Sequence, residues 1–207
     1  MLVPPLCWGC GGVARRKEPL CGACRHLLRR LAPDPVLLCG VRVWAPVAYS
    51  GPARDLVRAL KFRGAVHVAD AMAAQIVANA PQGLLGATAV PVPLHPRRLR
   101  SRGYNQAAAI ADALSRRAGL AFSDCLTRAG PAITQMGRDR AQRQAGPAGT
   151  IAVCAPDAGE AADAPERVLL VDDVVTTGAT LAACREALVA AGSLEIAAVT
   201  FARTIGR

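Results

Sequence analysis

Aromatic side chains are scarce in this chain of 207 residues, at 3%, and lysine is scarcer still, with Lys17 and Lys61 the only two. No apolar run approaches the roughly 20 residues that a membrane helix needs. The amino terminus, MLVPPLCWGCGG, has no basic leader followed by an apolar stretch. No signal peptide is therefore expected, and the reading is cytoplasmic. Disorder is excluded as well, because 52% of the residues are hydrophobic, enough for a core of Leu, Val, Ile and Ala.

What is abundant is arginine, which carries almost all of the net charge of +10. Its planar fork suits phosphate oxygens. A solvated arginine surface accounts for the charge, and so does a polyanionic ligand or nucleic acid. Cysteine is also plentiful, and four of the eight lie in CWGCGGVARRKEPLCGAC: Cys7, Cys10, Cys21 and Cys24. Two CxxC turns separated by ten residues present four thiolates to one tetrahedral metal. So short a segment cannot build its own core, so the metal would supply its folding energy. Zinc is the expected ion; iron is a rival, and a pair of metal-free dithiols is the alternative. His26 reads as a helix residue rather than a ligand. Cys39, Cys125, Cys154 and Cys184 are isolated, and reduced, buried thiols are expected there.

The Pro-, Gly-, Cys- and Arg-rich residues 1–40 form one expected unit and residues 41–207 a second. A short helix is predicted from Arg25 to Leu31, ended by Pro33-Asp34-Pro35. VRVWAPVAYS reads as a strand. GPARDLVRALKFRG reads as a helix with Pro52 at its first position and Ala53, Leu56, Val57 and Leu60 on one face. Arg54, Arg58 and Lys61 fall off that face. A second helix follows, with Ala69, Met72, Ala73, Ile76, Val77 and Ala80 at helical spacing. ATAVPVPL is a short strand, HPRRLRSRG a basic loop, and YNQAAAIADALSRRAG a helix ended by Gly119. RAGPAITQMGRDRAQRQAGPAG reads as a long basic loop or hairpin, and APDAGEAADAPE as an acidic surface linker. The last unit is a strand from Val168 to Val171, a turn, a helix from Thr180 to Ala191, and a strand from Glu195 to Phe201. Strands alternating with helices imply an α/β fold with a mainly parallel sheet.

The string RVLLVDDVVTTGAT concentrates the chemistry. VLLV is a continuous apolar run, as a central parallel strand requires, and ligands of such sheets bind beyond the carboxyl ends of the strands. Asp172 and Asp173 are expected there. The turn after them adds the hydroxyls of Thr176, Thr177 and Thr180, and Gly178, which would let a ligand approach closely. The next helix begins within that turn, and its amino end favours an anion. An anion cradle beside two carboxylates suits a sugar phosphate, the carboxylates accepting bonds from hydroxyls or holding Mg²⁺.

This string resembles the phosphoribosyl pyrophosphate (PRPP) signature of type I phosphoribosyltransferases. AVPVPLHPRRLRSRGYNQAAAIADAL, LVRALKFRG and the closing VTFART resemble ComF-family strings in particular. The resemblance implies a type I phosphoribosyltransferase fold in which Asp172 and Asp173 bind the ribose hydroxyls. Thr176, Thr177, Gly178, Ala179 and Thr180 would then wrap the 5′-phosphate. Arg97, Arg98, Arg100 and Arg102 would face the pyrophosphate and its Mg²⁺, with Gly103 turning the chain and Asn105 capping a helix. The segment from Arg128 to Gly149 would be the flap over PRPP, where Gln135 and Arg143 match the family. Arg138 and Gly146 depart from its leucine and asparagine. The expected catalytic set is Asp172, Asp173, Arg102 and Arg143. Thr176 replaces the aspartate of 6-oxopurine salvage enzymes, which disfavours hypoxanthine and guanine as acceptors.

The same resemblance implies a structural Zn²⁺ ribbon on Cys7, Cys10, Cys21 and Cys24, and it leaves room for a homodimer. It also carries a second function, because ComF-like proteins are associated with DNA uptake in competent bacteria. The arginines and the knuckles would then grip single-stranded DNA, using Arg15, Arg16, Lys17 and the aromatics Trp8, Trp44 and Tyr104.

Overall fold

The computed structural model describes residues 5–16, 18–128, 151–154 and 164–206. In chain order the elements are α1 (Gly22–His26), β1 (Val36–Leu38), β2 (Val41–Trp44), β3 (Val47–Ala48), α2 (Gly51–Phe62), α3 (Val68–Asn79), β4 (Thr88–Pro91), α4 (Pro96–Arg102), α5 (Gln106–Ala118), β5 (Leu126–Arg128), β6 (Ile151–Val153), β7 (Arg167–Val175), α6 (Ala179–Ala190) and β8 (Glu195–Arg203). The main sheet runs β1-β2-β8-β7-β4, with β3 also paired to β8. Its pairings are parallel except that β1 runs antiparallel to β2. The mainly parallel α/β layout expected from the sequence is the one observed.

Val168, Leu169, Leu170 and Val171 are all buried, because helices cover both faces of β7. Alternation of side chains along the strand divides them between two cores. Leu169 and Val171 join Leu60 of α2, Met72 and Ile76 of α3, Ile110 and Leu114 of α5, and Phe201. Val168 and Leu170 join Val41 and Val43 of β2 and Leu181, Cys184 and Leu188 of α6. The first core does not stop at the sheet: Cys7, Leu20, Cys24 and Leu28 belong to it too. The amino-terminal knuckles therefore sit on the same apolar mass as α2 and α3.

Several elements differ from the sequence reading, each for a local reason. α1 begins at Gly22 and ends at His26, ahead of the Arg25–Leu31 span, because the second CxxC turn itself winds into the helix. VRVWAPVAYS splits into β2 and β3, since Pro46 has no N–H to continue a ladder. HPRRLRSRG is not a loop but the helix α4, opened by the His95 ring, whose Nδ1 accepts from the Arg97 N–H at 3.2 Å, and closed by Gly103 at φ 81°. β7 does not end at Val171; it runs through both aspartates to Val175, because β8 continues beside it and Asp172 is registered on Thr200. Of the four isolated cysteines, Cys184 is buried, Cys125 is half-buried, and Cys39 and Cys154 are exposed, so the expectation of buried thiols fails at two of them. Antiparallel β5 and β6 pair Leu126–Arg128 with Ile151–Val153, a hairpin stem at the two ends of the long basic segment. Gln135, Arg138, Arg143 and Gly146 in that segment, Lys17, and most of the acidic linker lie outside the described residues. No helix among the described residues is long and apolar enough to cross a membrane.

Candidate functional site

Two places gather chemistry. The first is the pair of knuckles. Cys7 and Gly12 are joined by a backbone bond of 2.7 Å, and Leu6 and Val13 by an antiparallel bridge, so the first CxxC forms a tight hairpin. The second CxxC straddles the start of α1, with Cys21 as its amino cap. The four sulfurs lie within 4.8 Å of one another, and Cys10 and Cys21 are 3.7 Å apart. A tetrahedron with Zn–S bonds of about 2.3 Å has edges of about 3.8 Å, so the donor set fits a tetrahedral Cys₄ ion such as zinc. A side chain at Gly9 would meet the Cys24 sulfur at 3.0 Å, so glycine is what lets the two knuckles close.

The sulfurs are prepared unequally. Burial raises the Cys7 thiol, but N–H groups of Cys10, Cys21 and Gly9 outweigh it and bring the pKa down to about 6. Cys24 is pushed up by burial and then by the neighbouring sulfurs. A bound cation relieves that crowding by drawing all four to the thiolate. His26 is exposed and outside the cluster, as the sequence suggested.

The second place is the carboxyl end of the sheet. Val92, just past β4, donates its N–H to Val171 at 2.9 Å, and its carbonyl accepts from Asn105 Nδ2 at 3.0 Å. Asn105 also caps α5, its Oδ1 accepting from the Ala107 N–H at 3.0 Å. The Tyr104 hydroxyl donates to the Leu60 carbonyl in the last turn of α2. Two residues on, Phe62 lies under the Arg102 guanidinium at 5.4 Å. The strings LKFRG and RGYN, far apart in the chain, thus meet beside the aspartates.

Asp173 faces α2. It is 3% exposed, and its Oδ1 lies 2.9 Å from Lys61 Nζ, while its Oδ2 is buried without a hydrogen-bond partner among the described residues. Lys61, off the apolar face of α2, therefore meets a buried carboxylate rather than open water. Asp172, half-buried, accepts the Asp173 N–H at 2.7 Å. Burial, and next the Asp173 charge, push the Asp172 carboxyl up to about 7; the backbone bond and Lys61 offset only part of this. Behind it the buried Cys184 thiol is raised to about 12, by burial first and Asp172 second. One carboxyl of the pair thus holds its proton near neutrality while the other is ion-paired.

The turn that follows leaves Thr176, Thr177 and Ala179 exposed and Thr180 half-buried, at the amino end of α6. Thr177 Oγ1 accepts the Ala179 N–H at 3.4 Å. Gly178 is a place where the chain itself approaches closely. Its φ is 86°, and a side chain there would meet Leu38 Cβ at 2.9 Å, because the β1–β2 turn folds over it. Cys39, in the same turn, donates its thiol to the Thr177 carbonyl at 3.3 Å. Neither Lys61 nor the Leu38–Cys39 turn was legible as part of this site, since each reaches it only through tertiary packing.

Of the four arginines assigned to the pyrophosphate, Arg97, Arg98 and Arg100 are exposed on α4, and Arg102 is half-buried on Phe62. Trp44 is buried, with its indole N–H on the Ala32 carbonyl, and Tyr104 is tied to α2, so neither is a free stacking platform. Trp8 is half-buried, with Arg63 at 5.7 Å over its ring and His67 against its N–H. A cleft of about 610 Å³ lies at the opposite, amino end of the sheet, lined by Arg42, Gln82, Arg167 and Glu195 among others. Arg167 and Glu195 pair there at 2.9 Å, and none of the chemistry above reaches it.

No model of a known protein family matches the chain. It is 28% identical over 232 aligned residues, covering 99% of this chain and all of the relative, to the DNA utilization protein YhgH of Salmonella typhi, and equally to that of Salmonella typhimurium strain LT2.

Proposed function

We propose that the chain is a PRPP-binding protein of type I phosphoribosyltransferase fold that serves DNA utilisation. The observation that carries the site is the buried, unpartnered Oδ2 of Asp173 at the carboxyl end of β7, next to a hydroxyl-lined turn at the start of α6. A buried carboxylate oxygen without a donor costs about 1–3 kcal/mol, and a sugar hydroxyl would satisfy it. Asp172 and Asp173 would hold the ribose hydroxyls, and Thr176 to Thr180 the 5′-phosphate. Arg102, with Arg143 from the segment outside the described residues, would face the pyrophosphate and its Mg²⁺.

In the transfer itself the C1–oxygen bond to pyrophosphate breaks, and pyrophosphate leaves with the electron pair. A nitrogen nucleophile forms the new bond at C1 and releases its proton to water. The Cys₄ knuckles would carry structural Zn²⁺. The chain would act in the cytoplasm, alone or as a homodimer. Pyrophosphate release from PRPP and Mg²⁺, followed across a panel of bases and amines, tests the transfer. Titration with PRPP tests the site: no binding, or equal binding by Asp173→Asn, removes the reading.

A second reading is favoured by the relatives named for DNA utilisation and by the net charge of +10. In it the PRPP site is regulatory or degenerate and single-stranded DNA, or a competence protein, is the partner. The exposed Arg15 and Arg16 and the Phe62–Arg63–Trp8 edge supply the charge and the rings. Binding to a single-stranded oligonucleotide should weaken steeply with salt, and neutralising Arg15, Arg16 and Lys17 should weaken it further. No binding at low salt removes this reading.

A further inference from the structure

Lys61 sits at a corner the fold has fixed from both sides. The preceding residue, Leu60, receives the Tyr104 hydroxyl on its carbonyl. The following two, Phe62 and Arg63, rest against Arg102 and Trp8. Between them the Lys61 ammonium lies 2.9 Å from Asp173 Oδ1, with a side chain only 28% exposed. The remaining oxygen of that carboxylate is buried and has no hydrogen-bond partner among the described residues.

The charge arithmetic of this corner selects its ligand. A divalent cation on Asp173 would stand within a few ångströms of the ammonium, and like charges at that separation in a half-buried site repel by several kcal/mol. A hydroxyl carries no such penalty, since it donates to Oδ2 while Lys61 keeps Oδ1. From this geometry, and resting on the sugar-phosphate reading above, we infer that Lys61 is a specificity-determining positioning residue: it bars a divalent cation from Asp173 and reserves that carboxylate for a hydroxyl of the sugar. Any Mg²⁺ then arrives on the phosphates and is held away from Asp173.

The test uses the zinc-loaded full chain and two probes, ribose 5-phosphate without divalent metal and Mn²⁺ without sugar. The wild type should bind ribose 5-phosphate and show no Mn²⁺ site that Asp173→Asn abolishes. Lys61→Met should lose at least about tenfold in ribose 5-phosphate affinity, the equivalent of one charge-assisted contact, and should gain Mn²⁺ binding seen by electron paramagnetic resonance. Lys61→Arg should stay within a few-fold of the wild type and remain closed to Mn²⁺, which a merely structural lysine would not predict. The inference is overturned if Lys61→Met binds the sugar phosphate like the wild type. It is overturned equally, without any lysine variant, if the wild type holds Mn²⁺ on Asp173. A wild type that binds neither PRPP nor ribose 5-phosphate instead brings down the sugar-phosphate reading, and the inference with it.

Discussion

The four knuckle sulfurs come from positions 7 to 24 and meet within 4.8 Å, whereas the groups around Asp172, Asp173 and the turn that follows them come from Leu38, Lys61, Cys184 and Thr200. One site is built by a short stretch closing on itself, with glycine at position 9 making room for the Cys24 sulfur. The other is built by a sheet that gathers distant helices to its edge. A local site depends on what it binds, and a tertiary site depends on what packs around it. The two regions should therefore fail differently.

Metal removal should have the largest effect. Stripping the knuckles with a chelator, or replacing Cys24 with Ser, should unfold the first segment and bare Leu20 and Leu28, which belong to the main core. The melting temperature should fall by ten degrees or more, with one metal lost per chain by elemental analysis. A chain that melts unchanged would show the knuckles to be as self-sufficient as the sheet. Asp173→Asn comes next, because it leaves the Lys61 ammonium half-buried without its partner. About 2–3 kcal/mol of stability should go, less than for a fully buried pair since Lys61 is partly exposed, and chemical denaturation measures it. Metal content should not change, which is what separates the two regions.

Gly178→Ala probes the packing over the threonine turn. A residue at φ 86° with Leu38 at 2.9 Å should cost about 2 kcal/mol. Leu38→Gly in the same chain removes the Cβ that the new methyl would meet and should recover part of that loss, and additive losses would show that the β1–β2 turn does not touch the site. The remaining effect is one of pH. Asp172 titrates near 7 in the folded chain against an ordinary 3.8. The folded state therefore binds the extra proton across that interval, and stability falls as pH rises through it. Asp172→Asn removes the fall. Without added divalent metal, it should melt above the wild type at pH 8 and level with it below about pH 4. A constant difference across pH would place the origin of the effect elsewhere.

The same contrast decides what could be read from the sequence. The cysteine spacing was legible because all its partners lie along one short string. The buried run VLLV and the helix spacing of Leu56, Val57 and Leu60 were legible because periodicity records which face is covered. Lys61 was not, since its position off the apolar stripe looks the same whether water or a carboxylate waits there. The end of β7 was not legible either: two aspartates argue against a strand, and only the ladder to β8 carries the chain through them. Gly178 was rightly seen as a place of close approach, but the approaching atom is Leu38, from a hairpin that no local pattern links to the turn. α4 was hidden by its arginines and by Pro96, which opens the helix instead of forbidding it.

β1 contributes only three residues to the sheet, yet it shields the outer edge of β2, and its turn roofs the threonine bend. A shortened chain starting at Val41 would lose both at once. It would present an unpaired strand edge, prone to zip onto another copy, and would leave Gly178 without the leucine that covers it. Aggregation and a slack anion cradle should therefore appear together in such a fragment.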